Sequence, residues 1–312
     1  MSYKVSAPGS LMLLGEYAVL HREPALVCAV DKRITVTLTP RVDKRIEIHS
    51  VLHGHYATDL SQLTIEKPFH FVLGALQRYQ AKLKQGCDIE IVSAFSDKVG
   101  LGSSAAVTVA MLVALTTWLE LEATLLDIVR LGRQVVRHVQ GVGSGADVAA
   151  SVYGGIVGYQ AQPLSVEKFS VLYPLTALYA GVKTPTVEAI KYVQDYFVTR
   201  QDLFRHLIHA IGQCAVLGRQ SVRVDDAAKL GEMMNIQQGL MESLGVCTPL
   251  LRGMVDNLRE QPGMWGAKIS GAGWGDCVIG MGVEIPTFSK VADGVQCIPV
   301  AMTLKGVQGE KI

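Results

Sequence analysis

From Ile34 to Leu38 the chain alternates apolar residues with threonine, the period of a half-buried strand. Similar short apolar runs predict strands at Tyr3–Ala7, ending at Pro8-Gly9, and at Arg45–Ser50, Cys87–Ser93, Ile156–Gln160, Phe169–Leu172, Leu175–Gly181 and Cys297–Leu304. Ser10–Leu20 reads as a strand and turn, and Pro24–Pro40 as strand-rich. Other stretches carry helical spacing. Phe71, Leu73, Leu76, Tyr79 and Leu83 fall on one face of a helix over Pro68–Lys84. Ala105–Leu119 is apolar almost all round, the mark of a buried helix, and a further helix covers about Leu125–Val139, acidic at its start and basic toward its end. The second half adds a helix from Val187 and helices over Leu203–Arg219, Asp225–Leu244 and Thr248–Glu260, then a strand, glycine turn and strand over Lys268–Gly280. Strands and helices mix without a regular βαβ rhythm, which predicts an α+β fold. The first domain is expected to span 1–165 and the second 166–312, since 312 residues suffice for about two domains.

Composition narrows the function classes. Hydrophobic residues make up 49% of the chain and charged residues 18%, enough to build substantial cores. A net charge of +1 gives no electrostatic case for nucleic acid or an anionic membrane as partner. No stretch reaches the ~18 apolar residues of a membrane helix, and the amino terminus has no apolar signal core. The six cysteines are scattered without CxxC or metal-ligand spacing, which predicts free thiols in a reducing cytoplasm.

Chemistry concentrates in the glycine-bearing segments. In Gly100–Ala110, GLGSSAAVTVA, a glycine-serine turn opens directly into the buried helix. Amides at the positive end of a helix form an anion site, and a capped helix after a tight turn accounts for the same residues. Gly143–Gly155, GSGADVAASVYGG, sets Asp147 near the first turn of another apolar helix, where it is either a general base or an ordinary acidic residue at a helix start. Two more glycine segments are Ala7–Leu20, APGSLMLLGEYAVL, and Gly266–Gly280, GAKISGAGWGDCVIG. His53 and His55 have no acidic or third histidine partner nearby in sequence and are expected in a solvent loop. Neither a GxxxxGK[ST] loop nor the protein-kinase signature set is present.

These four segments, in this order, resemble those of the GHMP kinase family, which includes galactokinase, homoserine kinase, mevalonate kinase and phosphomevalonate kinase. The resemblance spans the chain and implies a two-domain fold, an amino-terminal domain like ribosomal protein S5 domain 2 and a ferredoxin-like carboxy-terminal domain. It implies a kinase using ATP and Mg²⁺ in the cleft between them. Gly100, Leu101, Gly102, Ser103 and Ser104 would form the ATP loop, with Ser104 on the metal, and Gly271, Ala272 and Gly273 would close over the phosphates. Asp147 would take or orient the acceptor's proton. Ser10 stands where the mevalonate and phosphomevalonate branch carries a catalytic lysine, so another cation such as Lys4 or Lys183 would have to reach the site, or Mg²⁺ and the loop would carry more of the charge. Glu16, Tyr17 and Lys183 are the expected acceptor-side residues. Trp274 stands where many relatives have glycine and would crowd the phosphates unless it points away. The expected acceptor is mevalonate, with 5-phosphomevalonate as the alternative; a nucleotide- or metabolite-binding relative and a decarboxylase are further readings. Family habit suggests a homodimer.

Overall fold

The long strand β2 (Ala25–Pro40) organises the first half of the molecule. The computed structural model describes residues 1–283 and 294–312. Along its full length β2 lies antiparallel to β1 (Tyr3–Leu14), but its two ends serve different neighbours on the other side. Ala25–Cys28 pairs with β6 (Ile156–Ala161), and Ile34–Pro40 pairs with β5 (Cys87–Ser93). The sheet continues through β3 (Arg45–Ser50), parallel to β5, to the edge strand β4 (Gly54–Asp59), and from β6 to β7 (Leu164–Phe169). The closing strand β12 (Gln308–Lys311) pairs with β1, so the end of the chain returns to the first sheet.

Helices α1 (His70–Tyr79), α2 (Ser103–Trp118), α3 (Leu125–Gln140) and α4 (Ala146–Tyr153) pack together over β1 and β2. Most of α2 is buried, which is why it carries no polar stripe. Helix α3 opens on a reciprocal Thr124–Asp127 capping box and closes at Gly141 in the left-handed region, so both ends are set by the sequence.

The second sheet has the order β11 (Gln296–Ile298), β8 (Leu175–Tyr179), β10 (Cys277–Gly282), β9 (Met264–Ser270), all neighbours antiparallel. Counted within this half, the order is fourth, first, third, second, the ferredoxin-like arrangement, with α5 (Thr186–Tyr196), α6 (Gln201–Arg223), α7 (Ala227–Ser243) and α8 (Pro249–Arg259) between β8 and β9. The expected α+β, two-part architecture is present. We propose the two sheets as the cores of two domains; β7 spans Leu164–Phe169, which moves the boundary past residue 165.

Four local expectations need correction. The first strand does not end at Pro8-Gly9: β1 runs through to Leu14, with a register irregularity between Pro8 and Ser10 absorbing the break. His55 lies in β4, not in a loop. The strand expected at Phe169–Leu172 is β7, ending where that range begins. The strand expected over Cys297–Leu304 is short: β11 covers only Gln296–Ile298, Met302 makes an isolated bridge to Val30, and a further strand, β12, follows at Gln308–Lys311. The two edge strands were missed because both are polar and give no alternating apolar signal. No helix among the described residues is long and apolar enough to cross a membrane.

Candidate active site

Strand β1 delivers Ser10 to the start of α2. The Ser10 amide donates to the Leu101 carbonyl at 3.0 Å, which fixes β1 against the glycine-serine turn. Gly102 is the N-cap of α2, at φ 66, and makes no side-chain cap; a Cβ there would lie 2.2 Å from Ser10 Oγ. Glycine is therefore required twice, for the left-handed backbone and for the close approach of Ser10. The helix begins at Ser103, so capping by the Ser103 side chain does not occur. Its ladder opens with the Ala106 amide on the Gly102 carbonyl at 3.1 Å, leaving the amides of Ser103, Ser104 and Ala105 outside it. Gly102→Ala should displace Ser10 and lower turnover by about 10²-fold, the usual scale for a small misplacement of catalytic groups; steady-state rates beside a melting curve check this.

The Ser10 hydroxyl donates to Asp147 Oδ1 at 2.8 Å. Ser10 is buried, and Asp147 sits in the first turn of α4, after Gly145 at φ 92. Gly145 is needed there because a Cβ would lie 2.6 Å from the Tyr159 hydroxyl, which itself donates to the Ser144 carbonyl at 2.6 Å. Asp147 is half-buried and lines a cavity. Burial pushes its carboxyl above the usual carboxylate range, the Ser10 hydrogen bond works against the shift, and the charge of Glu16 adds to it. A carboxylate raised in this way, in reach of a bound hydroxyl, is suited to general-base work.

Asp147 shares its cavity with Met12, Glu16, Tyr17, Ser104 and Gly271. A larger cavity adjoins it, also reaching Ser104, Gln140 and Thr186, and is lined by Ser103, Lys183, His53, Phe69 and the turn after β3. The two cavities meet at the start of α2. Gly100, Leu101, Gly102 and Gly273 line neither; they shape the loops. Leu101 is a core residue, and Gly273, at φ 82, lets the Gly266–Gly280 loop pass beneath the Val246 carbonyl.

The Gly266–Gly280 segment reaches the Ala7–Leu20 segment through buried contacts. Lys268, fully buried in β9, donates to Glu16 Oε1 and to its neighbour's carbonyl at Ile269. Gln237 of α7 donates to Glu16 Oε2 and accepts the Gly15 amide at 2.9 Å. The Gly271 amide is 3.4 Å from Glu16 Oε1. Glu16 thus lines the cavity with a carboxylate already engaged, and it braces the site. Tyr17, held at φ 61, donates to the Ala272 carbonyl at 2.5 Å, and burial followed by the charge of Glu16 raises its phenol further.

The cations suggested by the missing lysine do not reach Asp147. Lys4 pairs with Glu310 at 3.7 Å on the outer edge of the first sheet. Lys183 donates to the Asp97 carbonyl and lines the larger cavity. Trp274 points away from the cleft: its indole nitrogen donates to the Gly245 carbonyl at 3.1 Å and its ring lies against Tyr192. Asp276 and Cys277 do touch the glycine-serine turn, since Cys277 Sγ donates to the Val99 carbonyl at 2.9 Å and a Cβ on Gly100 would lie 3.1 Å from Asp276 Cβ. Burial raises the Asp276 carboxyl to about 6, with Lys183 opposing.

Sequence reasoning missed Lys268, Gln237, Arg22 and Arg133. Lys268 had a readable signal: a lysine inside an apolar strand run needs a buried partner. A third cavity adjoins the Asp147 cavity along Val19, Leu20, Val142, Gly143 and Ser144, and Arg22, Arg133 and Arg137 converge on it. Arg133 Nη1 donates to the Ala161 carbonyl at 3.0 Å, while its buried Nε has no partner among the described residues.

The amino-terminal domain model of the GHMP kinases matches residues 70–155, and their carboxy-terminal model matches residues 219–289. A protein from Pyrococcus horikoshii named mevalonate kinase is 30% identical, covering 98% of this chain and 97% of its own length. Among solved structures, the Lin0012 protein from Listeria innocua superposes with a TM-score of 0.84 at 22% identity over the whole of both chains. Galactokinase from Lactococcus lactis, solved with galactose, gives 0.81 at 18% identity, covering 98% of this chain and 95% of its own. The fold is thus shared with an enzyme whose name points to a sugar, while the closer sequence kinship carries the mevalonate name. With the four glycine segments meeting at one cleft and both domain models matched in order, this chain belongs to the GHMP kinase family.

Proposed function

We propose that this protein transfers the γ-phosphate of ATP to the hydroxyl of mevalonate. The observation that carries the reading is the Ser10–Asp147 pair, set where the two cavities meet at the free amides of α2. In this reading ATP occupies the larger cavity. Its phosphates meet the amides of Ser103, Ser104 and Ala105 and the Gly271–Gly273 loop, donors fixed before the charge of the transition state develops. Lys183 adds a cation on the nucleotide side rather than the acceptor side.

Ser104 offers the hard oxygen donor that Mg²⁺ prefers, and its place at the cavity junction leaves the remaining positions to phosphate and water. When bound there, Mg²⁺ neutralises charge on the phosphate oxygens. Asp147 orients the acceptor hydroxyl and takes its proton. Ser10, lacking a charge, keeps the Asp147 carboxyl from rising further and holds it in place. Glu16, Tyr17 and the buried Lys268 join the two halves of the cleft.

The third cavity supplies the acceptor's anionic end. Arg22, Arg133 and Arg137 would hold a carboxylate placed away from the reacting hydroxyl. Arg137→Ala should then raise KM for the acceptor about tenfold or more, the scale of a charged hydrogen bond, leaving KM for ATP and kcat little changed. The same three arginines also favour a second reading, 5-phosphomevalonate, whose extra phosphate would use positive charge beyond the needs of one carboxylate. Turnover measured side by side on both acceptors separates them: activity confined to 5-phosphomevalonate would overturn the mevalonate assignment. The six free cysteines support a reducing compartment such as the cytoplasm.

A further inference from the structure

We propose that the outer face of the β3–β4 hairpin is a binding site for a transition-type divalent cation, zinc or nickel, held by Glu47, His49 and His55. The three residues come from two strands and are assembled only by the register. His49 lies directly across from His55 in the antiparallel β3–β4 pair, and Glu47, two residues before His49, shares its face. The two imidazole rings stack with centroids 4.5 Å apart and 24° between their planes. One donor atom from each of the three residues lies within 4.8 Å of the others. Ile46 and Ile48 point the opposite way into the core, so β3 is anchored and its outward side chains cannot collapse inward.

Glu47 is already divided between two partners. Its Oε1 pairs with Arg45, and its Oε2 meets His55 Nε2 at 2.5 Å. Arg45 orients the carboxylate from outside, as outer partners do at metal centres. The His55–Glu47 contact is bridged by a proton, which an ion bound by both side chains would displace. Two imidazoles and a carboxylate form a donor set that suits zinc or nickel and leaves a position to water; magnesium, which prefers an all-oxygen shell, fits poorly. On the neighbouring strand β5, Glu90 is paired in register with His49, which sets a further carboxylate beside the same face and adds to its attraction for a cation.

The site has a structural outlet. The turn that joins the two strands contributes Leu52 and His53 to the wall of the larger cavity, and His53 Nε2 lies 3.7 Å from Asp97 beside the glycine-serine turn. A cation bridging β3 and β4 would restrain this edge hairpin, whose outer strand β4 pairs only with β3 among the described residues.

The test is a titration of the purified full chain with zinc, and separately nickel, against a chromophoric competitor, with hydrogen exchange followed across residues 45–59. The wild type should bind one equivalent that magnesium does not displace, and exchange across the hairpin should slow. His49→Ala and His55→Ala should each weaken binding by at least the roughly 10–100-fold that even an outer-shell change costs a metal site, and should abolish the exchange effect. Both residues are exposed, so the variants should fold and keep wild-type turnover in Mg²⁺ buffer free of zinc and nickel; His55→Gln provides a second variant with a polar side chain. Binding that is equal in wild type and variants, which would place the ion on cysteine thiols, overturns the proposal. So does the absence of any stoichiometric binding by the wild type.

Discussion

Asp147→Asn should lower turnover by about 10²–10⁴-fold, the usual contribution of a positioned general base, while ATP affinity stays close to wild type. The substitution keeps the shape of the side chain, and the Ser10 hydroxyl can still donate to the amide oxygen. What disappears is the group proposed to accept the hydroxyl proton. The proposed nucleotide side of the cleft is built from the start of α2 and from Lys183, neither of which contacts Asp147 through a hydrogen bond. The pH dependence follows from the same geometry. Burial raises the Asp147 carboxyl, so activity should fall, as pH is lowered, at a midpoint above the ordinary carboxylate range. The Ser10 hydrogen bond favours the ionised form; Ser10→Ala removes it and should move that midpoint to higher pH. A profile of kcat against pH for wild type and Ser10→Ala tests the sign. Near-normal turnover in Asp147→Asn, or a midpoint that moves down in Ser10→Ala, contradicts the assigned roles.

Lys268→Met is the change with the largest expected effect on stability. Lys268 and Glu16 are both buried, so removing the ammonium leaves an uncompensated carboxylate in the interior, at a cost of about 3–5 kcal/mol. Burial already pushes the Lys268 ammonium below its ordinary value, with Glu16 holding it up, as expected for a charge retained by its partner. The double variant Glu16→Gln with Lys268→Met leaves no uncompensated charge in the interior and should recover much of the loss, since the amide oxygen introduced at position 16 can still accept from Gln237. Chemical denaturation of the two single variants and the double variant gives the coupling directly. Additive losses would show that the pair does not act as a unit.

The architecture was legible in the sequence where burial imposes a period. The alternation over Ile34–Leu38 lies within β2, and the apolar run after Ser103 is α2, because a half-buried strand and a fully buried helix each leave their own signature. The polar edge strands β4 and β12 left none. The candidate site was legible through its glycines: Gly102 and Gly145 stand where a side chain would collide with Ser10 or Tyr159, and a collision of that kind dictates residue type. Long-range pairing was not legible. Nothing local tells Glu16 that its partner is Lys268, or brings Glu47 to His55, because those contacts exist only after two sheets and a hairpin register have formed. The lysine absent at Ser10 invited a search for a substitute cation. What stands there is a hydroxyl bonded to the Asp147 carboxyl, while Lys183 lines the larger cavity and three arginines converge on the third.

The central claim, phosphoryl transfer at Asp147, is tested most directly by incubating the purified protein with ATP, Mg²⁺ and mevalonate and following ADP release together with the phosphorus spectrum of the products. The account predicts mevalonate-dependent ADP release matched one for one by a new phosphate monoester on the acceptor, and loss of both signals in Asp147→Asn. Nucleotide binding with no acceptor-dependent ADP from mevalonate, 5-phosphomevalonate or a sugar would contradict it and leave a ligand-binding member of the family.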